Sequence, residues 1–303
     1  MKFKRISFFI ISFLSLFTPQ YLIGQEIIEI DPLFEYPTAP EELESLTDKS
    51  NYLVKHFWEG FDFKNKQAVD QNALNDAFLV FSTPLRWADL QVANQSVDRL
   101  IDKISGNPTL LLQFTKAAEE VLYGPRAEIW VDEVYLKFVD ACIKNKKISD
   151  SRKEKFNKIS RKLHNTARGE QAPTFSFENK KGETAQYFPM STPTLIIFGN
   201  PEDTDWRLAR LRMETNSALS QALEKGKLNI LFIIPAEMEN WKESVSNYSD
   251  KWVVGQGVDI LDTIDIRVIP SIYVIGSDGK ILMKNVALDS AIATVMGLIE
   301  NPA

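Results

Sequence analysis

The chain has 303 residues, enough for two domains at roughly 100–200 residues each. Its hydrophobic share of 44% and charged share of 25% are those of an ordinary globular protein. The net charge of −6 lacks the basic excess of a nucleic-acid-binding domain. A single cysteine excludes an internal disulfide, a multi-cysteine zinc site and a dithiol redox cycle within one chain.

The amino end has the features of a secretory signal peptide. Three basic residues among the first five precede an apolar run over 6–17, which Pro19 follows closely. The run is shorter than the roughly 20 apolar residues of a membrane-spanning helix, so an uncleaved anchor is the less favoured alternative. A lipoprotein box lacks its cysteine because Gln25 stands at that position. We therefore predict a signal peptide over 1–24 and an exported protein, periplasmic or secreted, with no stable membrane insertion after cleavage.

The next part of the sequence changes from extended to helical. Residues 25–40 are rich in proline and predict an extended linker, whereas residues 41–168 predict an all-α bundle of about six helices. Cys142 falls beside Phe138 on an apolar helix face, which favours a small buried side chain over a reactive thiol. Three helix starts are predicted where a capping-type residue precedes a proline, at Pro84, Pro108 and Pro125.

A strongly basic stretch ends the predicted helical domain. Between residues 144 and 168 there are ten Lys or Arg, opposed by Asp150 and Glu154. One interpretation is attraction to an acidic partner or to a membrane surface. The other is a solvated helix face that joins two domains, and the acidic character of the whole chain favours it.

From about residue 169 the periodicity becomes that of an α/β layer. Continuous apolar runs predict buried strands, and a Ser-Asp-Gly-Lys turn predicts a hairpin. Strand–helix–strand followed by a hairpin and a helix indicates a mixed sheet. The principal predicted elements are strands at 194–198, 229–234, 271–275 and 281–286, and helices at 203–224 and 288–299.

This order resembles the thioredoxin fold, and two motifs strengthen the resemblance. Residues 198–206 (FGNPEDTDW) leave the first central strand and enter the long helix. Residues 266–273 (IRVIPSIY) look like the loop that carries the family's cis-proline, which would be Pro270. The resemblance is to thioredoxin-like modules of bacterial envelope proteins, one group of which follows an uncharacterised helical domain. It implies a thioredoxin-like domain over 169–303.

In that family the helix opens with Cys-x-x-Cys. The helix amino terminus stabilises the first thiolate, and the second cysteine resolves the mixed disulfide. The resemblance puts Asp203 and Trp206 at those positions, and neither can exchange a thiol. We therefore expect a degenerate active site with no catalytic residue, no cofactor and no dithiol oxidoreductase activity. Asp203 is predicted to be a helix N-cap, and a hard-cation site formed with Glu202 and Asp205 is the alternative.

The apolar stripe of the helix predicted over 203–224 consists of Leu208, Leu211, Thr215, Leu219 and Ala222. Trp206 is predicted to point away from this stripe, because it lies about 200° around the helix from Leu208. It would pack beneath a neighbouring domain or serve as a binding anchor. The resemblance implies that Trp206, Ile269 and Pro270 line a groove that pairs with an extended peptide.

The predicted function is therefore a redox-inactive binding or interaction module of the cell envelope. Its expected partner is an envelope protein or an extended peptide, not nucleic acid, and no metal is expected. Two alternatives belong to other classes. The first is an enzyme that uses a partner's thiols or a metal held by the acidic loop, and the second is a module that only supports the helical domain.

Overall fold

A computed structural model gives the fold of most of the chain, and it describes residues 32–65, 68–127, 130–257 and 259–301. The predicted signal peptide and the first residues of the predicted linker lie outside these ranges. Contacts divide the chain into two units, with the boundary between Ile148 and Ser149. Among the helices within the described ranges, none is both long and apolar enough to cross a bilayer.

The first unit is all-helical. Side chains of Ser45, Asp70 and Asn107 accept first-turn N–H groups and so fix the starts of three helices. Large aromatic side chains fill its interior, and Trp58 packs against Phe81 and Phe114. The helices are α1 (Leu46–His56), α2 (Gln71–Ser82), α3 (Leu90–Ser105), α4 (Pro108–Leu122) and α5 (Asp132–Lys144), with 3-10 turns at Phe57–Gly60 and Thr83–Arg86.

Two of the three helix starts that were predicted at prolines are wrong. Pro108 does open α4, where its missing N–H costs nothing. Pro84 instead lies in the 3-10 turn that follows α2, and α3 begins after Asp89. Pro125 lies in a turn well before α5. A proline after a polar residue is equally compatible with a turn, and local sequence does not separate the two cases.

The second unit begins with a helix and continues into a mixed seven-stranded sheet of order β2-β1-β5-β4-β3-β6-β7. Strands β3, β4 and β5 are parallel, and the other pairs are antiparallel. The elements are α6 (Asp150–Asn165), β1 (Phe175–Asn179), β2 (Thr184–Tyr187), β3 (Thr194–Phe198), α7 (Thr204–Glu214), α8 (Ser217–Glu224), β4 (Asn229–Ile234), α9 (Trp241–Ser244), β5 (Val253–Gln256), a 3-10 turn (Asp259–Asp262), β6 (Ser271–Ile275), β7 (Ile281–Lys284) and α10 (Leu288–Glu300).

Alternate residues of β3 face two different hydrophobic clusters. Leu195 and Ile197 pack in a cluster that helices α7 to α10 complete. Ile196 and Phe198 pack in the cluster on the other face of the sheet. Burial on both faces explains why the central strands are continuous apolar runs that the sequence identifies readily.

Helix α6 groups with the sheet, although it was predicted to be the last helix of the preceding domain. The chain that follows it is fastened to β7, since the Gly169 amide donates to the Ile281 carbonyl at 2.8 Å. The Lys284 ammonium lies 3.3 Å from the Thr166 hydroxyl. The six predicted helices are thus confirmed, while the division between the units falls before α6.

The helix predicted over 203–224 is two helices. The break follows Thr215, and the side chain of Asn216 accepts the N–H groups of Ala218 and Leu219 to start α8. The apolar residues of this segment are spaced as in one continuous helix, and the prediction missed that Asn216 caps a second helix within it.

Candidate functional site

The amino end of α7 and the loop before β6 lie side by side. Strands β3 and β6 are antiparallel, and Phe198 is paired with Ser271. Pro270 consequently lies beside Gly199, where the chain leaves β3 toward α7. The peptide bond between Ile269 and Pro270 is cis. The two motifs quoted from the sequence therefore meet at one end of the central strands.

The predicted role of Asp203 as an N-cap is confirmed. Its Oδ1 accepts the Trp206 amide at 2.7 Å, and the exposed carboxylate complements the positive end of the helix dipole. In the turn before it, Asn200 Oδ1 accepts the Glu202 amide at 2.9 Å. A side chain on Gly199 would not fit, because a Cβ there would lie 2.7 Å from the Phe232 ring. This end of the helix thus presents an exposed carboxylate.

The acidic residues of this turn do not converge. Within the described ranges no three His, Cys, Asp or Glu side chains are placed to share a metal ion. Glu202, Asp203 and Asp205 are all exposed, and Asp203 is already used as a cap. The hard-cation alternative therefore has no geometric support here.

Trp206 lies inside the core, so the prediction that it faces away from the core is wrong. It is 1% exposed, and its ring stacks on Phe232 with centroids 5.0 Å apart and an interplanar angle of 10°. Its indole N–H donates to the Tyr248 hydroxyl at 2.9 Å. Leu208 and Leu211, predicted to be buried, are 59% and 48% exposed. Trp206 therefore cannot line a surface groove.

The error has a physical cause. The predicted stripe joined Leu208 and Leu211 to Leu219, which lies in α8 beyond the break. Because the break changes the direction of the chain, the buried face of α8 does not continue along α7. The buried face of α7 instead carries Trp206, Arg210 and Met213.

A buried ionic network fills the space beside Trp206. The Arg210 guanidinium lies 4.5 Å from the centre of the Tyr248 ring and donates to Glu214 at 2.7 Å. Arg210 also donates to the Asn247 carbonyl at 3.2 Å, and Glu214 accepts the Ser249 amide at 3.0 Å. Burial raises the pKa of Tyr248, so its hydroxyl stays neutral. The network fastens α7 to the segment after α9.

A second ionic cluster, which the sequence analysis did not predict, holds the Pro270 loop. Asp265 is 1% exposed, and its carboxylate contacts Arg267 at 2.6 Å and Lys284 at 3.1 Å. Its carbonyl accepts the hydroxyl of Tyr273 at 2.6 Å. Burial alone would raise the pKa of Asp265, but the contacts with Arg267 and Lys284 outweigh burial and lower it. Asp265 and Arg267 are two residues apart in the loop before β6, whereas Lys284 comes from β7.

The outer side of this loop is available to a ligand. Ile269 is 46% exposed, and Pro270 is half-buried. In the described part of the chain, the backbone N–H and C=O groups of Val268 and Ile269 make no internal hydrogen bond. Backbone groups in this condition require water or a ligand as partner.

The chain's cysteine lies in the other unit. Cys142 is fully buried in α5, with its sulfur 3.1 Å from the Thr115 hydroxyl oxygen. Burial raises the pKa of the thiol to about 11, with a smaller opposing effect of Thr115. At neutral pH it is protonated and therefore not a nucleophile. The predicted buried, structural role is confirmed.

These features define a thioredoxin-like fold, preceded by helices, in which a carboxylate caps α7. Residues 16–165 match the family described as a domain of unknown function (DUF5106). No curated protein matches the chain.

Solved structures resemble both parts of the chain. A thioredoxin-like protein from Bacteroides caccae is 18% identical, and the match covers 87% of this chain and 98% of that one with a TM-score of 0.73. A conserved protein of unknown function from Bacteroides fragilis is 21% identical over 42% of this chain and 98% of its own, with a TM-score of 0.40. The thioredoxin domain of a thiol-disulfide oxidoreductase from Bacteroides vulgatus is 19% identical over 44% and 98%, with a TM-score of 0.39. At these identities the first match establishes the fold and the others add no argument.

Proposed function

We propose that this is an exported, redox-inactive thioredoxin-like protein that binds an extended segment of an envelope protein or peptide at the Pro270 loop. The observation that carries the proposal is the carboxylate of Asp203 capping α7 beside a loop with unpaired backbone groups. The first feature removes thiol chemistry from this position. The second leaves backbone N–H and C=O groups that can form hydrogen bonds with a bound strand.

The binding surface of this proposal differs from the groove inferred from the sequence. Trp206 is excluded from it by burial, so Ile269 and Pro270 supply its apolar contact. The amide and carbonyl of Ile269 can pair with the backbone of an extended ligand, as in strand addition. The ionic cluster around Asp265 holds the loop in place, which lowers the entropy cost of binding.

Reduction of insulin by dithiothreitol should proceed at the uncatalysed rate in the presence of the purified protein. The physical reason is that the α7 terminus carries no thiol and that the pKa of Cys142 is raised to about 11. A Cys142→Ala variant is the matched control and should give the same rate. Acceleration above background, retained in that variant, would contradict redox inactivity and favour the enzyme alternative.

Ile269→Ser is expected to weaken peptide binding about tenfold, since burying much of an isoleucine contributes about 1.5 kcal/mol. The measurement is selection of a random peptide library on the protein, followed by titration of the recovered peptides by fluorescence anisotropy. Leu208→Ser is the matched control, because Leu208 is an exposed apolar side chain of the same unit. Equal affinities for all three proteins would show that the loop is not the binding surface.

A further inference from the structure

Helix α6 carries a charge opposite to that of the rest of the protein. Its residues Asp150–Asn165 include six Lys or Arg and two acidic residues, a net charge of +4. The chain as a whole has a net charge of −6, so everything outside this helix carries −10. Such segregation produces a local positive field on an otherwise acidic protein.

The positive side chains lie on the solvent side of the helix. The apolar stripe of Phe156, Ile159 and Leu163 is buried. We define the basic row as Lys155, Lys158, Arg161 and Lys162. These four residues lie outside the apolar stripe around the helix. Lys155, Lys158 and Arg161 are exposed, and Lys162 is half-buried.

Little in the described part of the chain neutralises Lys158, Arg161 or Lys162. Lys158 approaches Glu154 at 3.6 Å, but both side chains are more than 60% exposed, and such pairs contribute about 0–1 kcal/mol. Within the same described residues, the side chains of Arg161 and Lys162 form no ion pair or hydrogen bond.

The spacing within the row opposes the stability of the helix. Lys158 has Lys155 and Arg161 three residues away and Lys162 four residues away, which are the separations at which like charges repel on a helix. An exposed helix face tolerates acidic residues at these positions equally well, and mixed signs would stabilise it. A bound anion would relieve this repulsion, whereas solvent does so only partly.

We propose that the basic row binds an acidic segment of another polypeptide. A lipid surface fits less well, because the apolar stripe is buried and cannot insert between lipids. An extended anionic surface would also approach the remaining −10 of the chain. The row is about 10 Å long at 1.5 Å per residue, comparable to the physiological Debye length of about 8 Å. A narrow acidic strand laid along α6 therefore experiences chiefly the charges of Lys158, Arg161 and Lys162.

The test uses the full mature chain and a fluorescent polyglutamate peptide, titrated at low and at physiological salt. We expect binding that weakens with salt and is at least about tenfold weaker in a Lys158→Gln, Arg161→Gln, Lys162→Gln variant, because three charge contacts are lost. Glutamine has nearly the same helix propensity as these residues, so circular dichroism should show an intact helix.

The matched control removes the same charge elsewhere. Lys181, Lys225 and Lys227 are exposed positions of the same unit, and their triple substitution by glutamine should change peptide affinity less than about twofold. Equal loss in both triple variants would show a net-charge effect and overturn the proposal. So would binding to vesicles rich in phosphatidylglycerol without binding to polyglutamate, which would assign the row to a membrane surface. Absence of binding to either probe would leave α6 a solvated helix and also overturn it.

Discussion

Replacement of Asp265 by alanine is expected to lower the free energy of unfolding by about 3–5 kcal/mol, the usual cost of removing one partner from a buried ion pair. The carboxylate is 1% exposed and lies between the guanidinium of Arg267 and the ammonium of Lys284. Without it, two cations stay close together in a site where water cannot replace the lost charge. Chemical denaturation monitored by tryptophan fluorescence measures the change.

Two further variants separate the charge of Asp265 from its size. Asp265→Asn keeps the shape of the side chain and one hydrogen-bond acceptor. Its free energy of unfolding should therefore lie between those of the wild type and the alanine variant. Asp262→Ala removes an exposed carboxylate from the same segment and should change stability by less than about 0.5 kcal/mol. A similar small change for Asp265→Ala would show that the cluster does not hold the loop.

The same carboxyl group should make stability depend on pH. The pKa of Asp265 is lowered in the folded protein, so folding favours its ionised form. Its contribution to stability is therefore fully present above the unfolded pKa of about 3.9 and is lost as pH falls through the lower folded pKa. The stability difference between wild type and Asp265→Asn should accordingly shrink as the pH is lowered below about 4. A difference that stays constant down to pH 2 would contradict this assignment.

The sequence predicts the elements that short-range patterns determine. Strands β3, β4 and β6 were predicted with the bounds that they have, because each is an uninterrupted apolar run. The hairpin of β1 and β2 was missed although its burial alternates along β1, and Gly182 at φ +82° marks its turn. These strands are short and partly polar, and their pairing supplies the stability that their sequences do not show.

Some features of the candidate site depend on residues close together in the sequence, and others depend on residues far apart. The cap at Asp203 depends on four consecutive residues, so local reasoning found it. The cluster around Asp265 depends on Lys284, which is 19 residues away in the sequence and reaches the loop only when β6 and β7 pair. The position of Trp206 depended on the helix break after Thr215, and one missed asparagine cap reversed the inferred face.

Replacement of Trp206 by alanine should lower the free energy of unfolding by about 3–5 kcal/mol, as for other large buried aromatic side chains. The variant leaves a cavity beside Phe232 and removes the donor to the Tyr248 hydroxyl. Trp206→Phe keeps a ring on Phe232 but loses that hydrogen bond. It should lower the free energy of unfolding by less than Trp206→Ala does. Thermal and denaturant unfolding followed by far-ultraviolet circular dichroism measure both, because the signal does not depend on the removed indole.

Leu208→Ala tests which face of α7 is buried. The structure leaves this leucine 59% exposed, so its truncation should cost less than about 1 kcal/mol, whereas a buried leucine would cost about 2–5 kcal/mol. If Leu208 proved the more costly position and Trp206 the less costly, the orientation of α7 would be the one that the apolar stripe predicted. Trp206 would then return to the surface beside Pro270, and the peptide surface would have to be redrawn to include it. Peptide affinity measured for Trp206→Phe provides the independent check, since an unchanged affinity is expected only if the indole is buried.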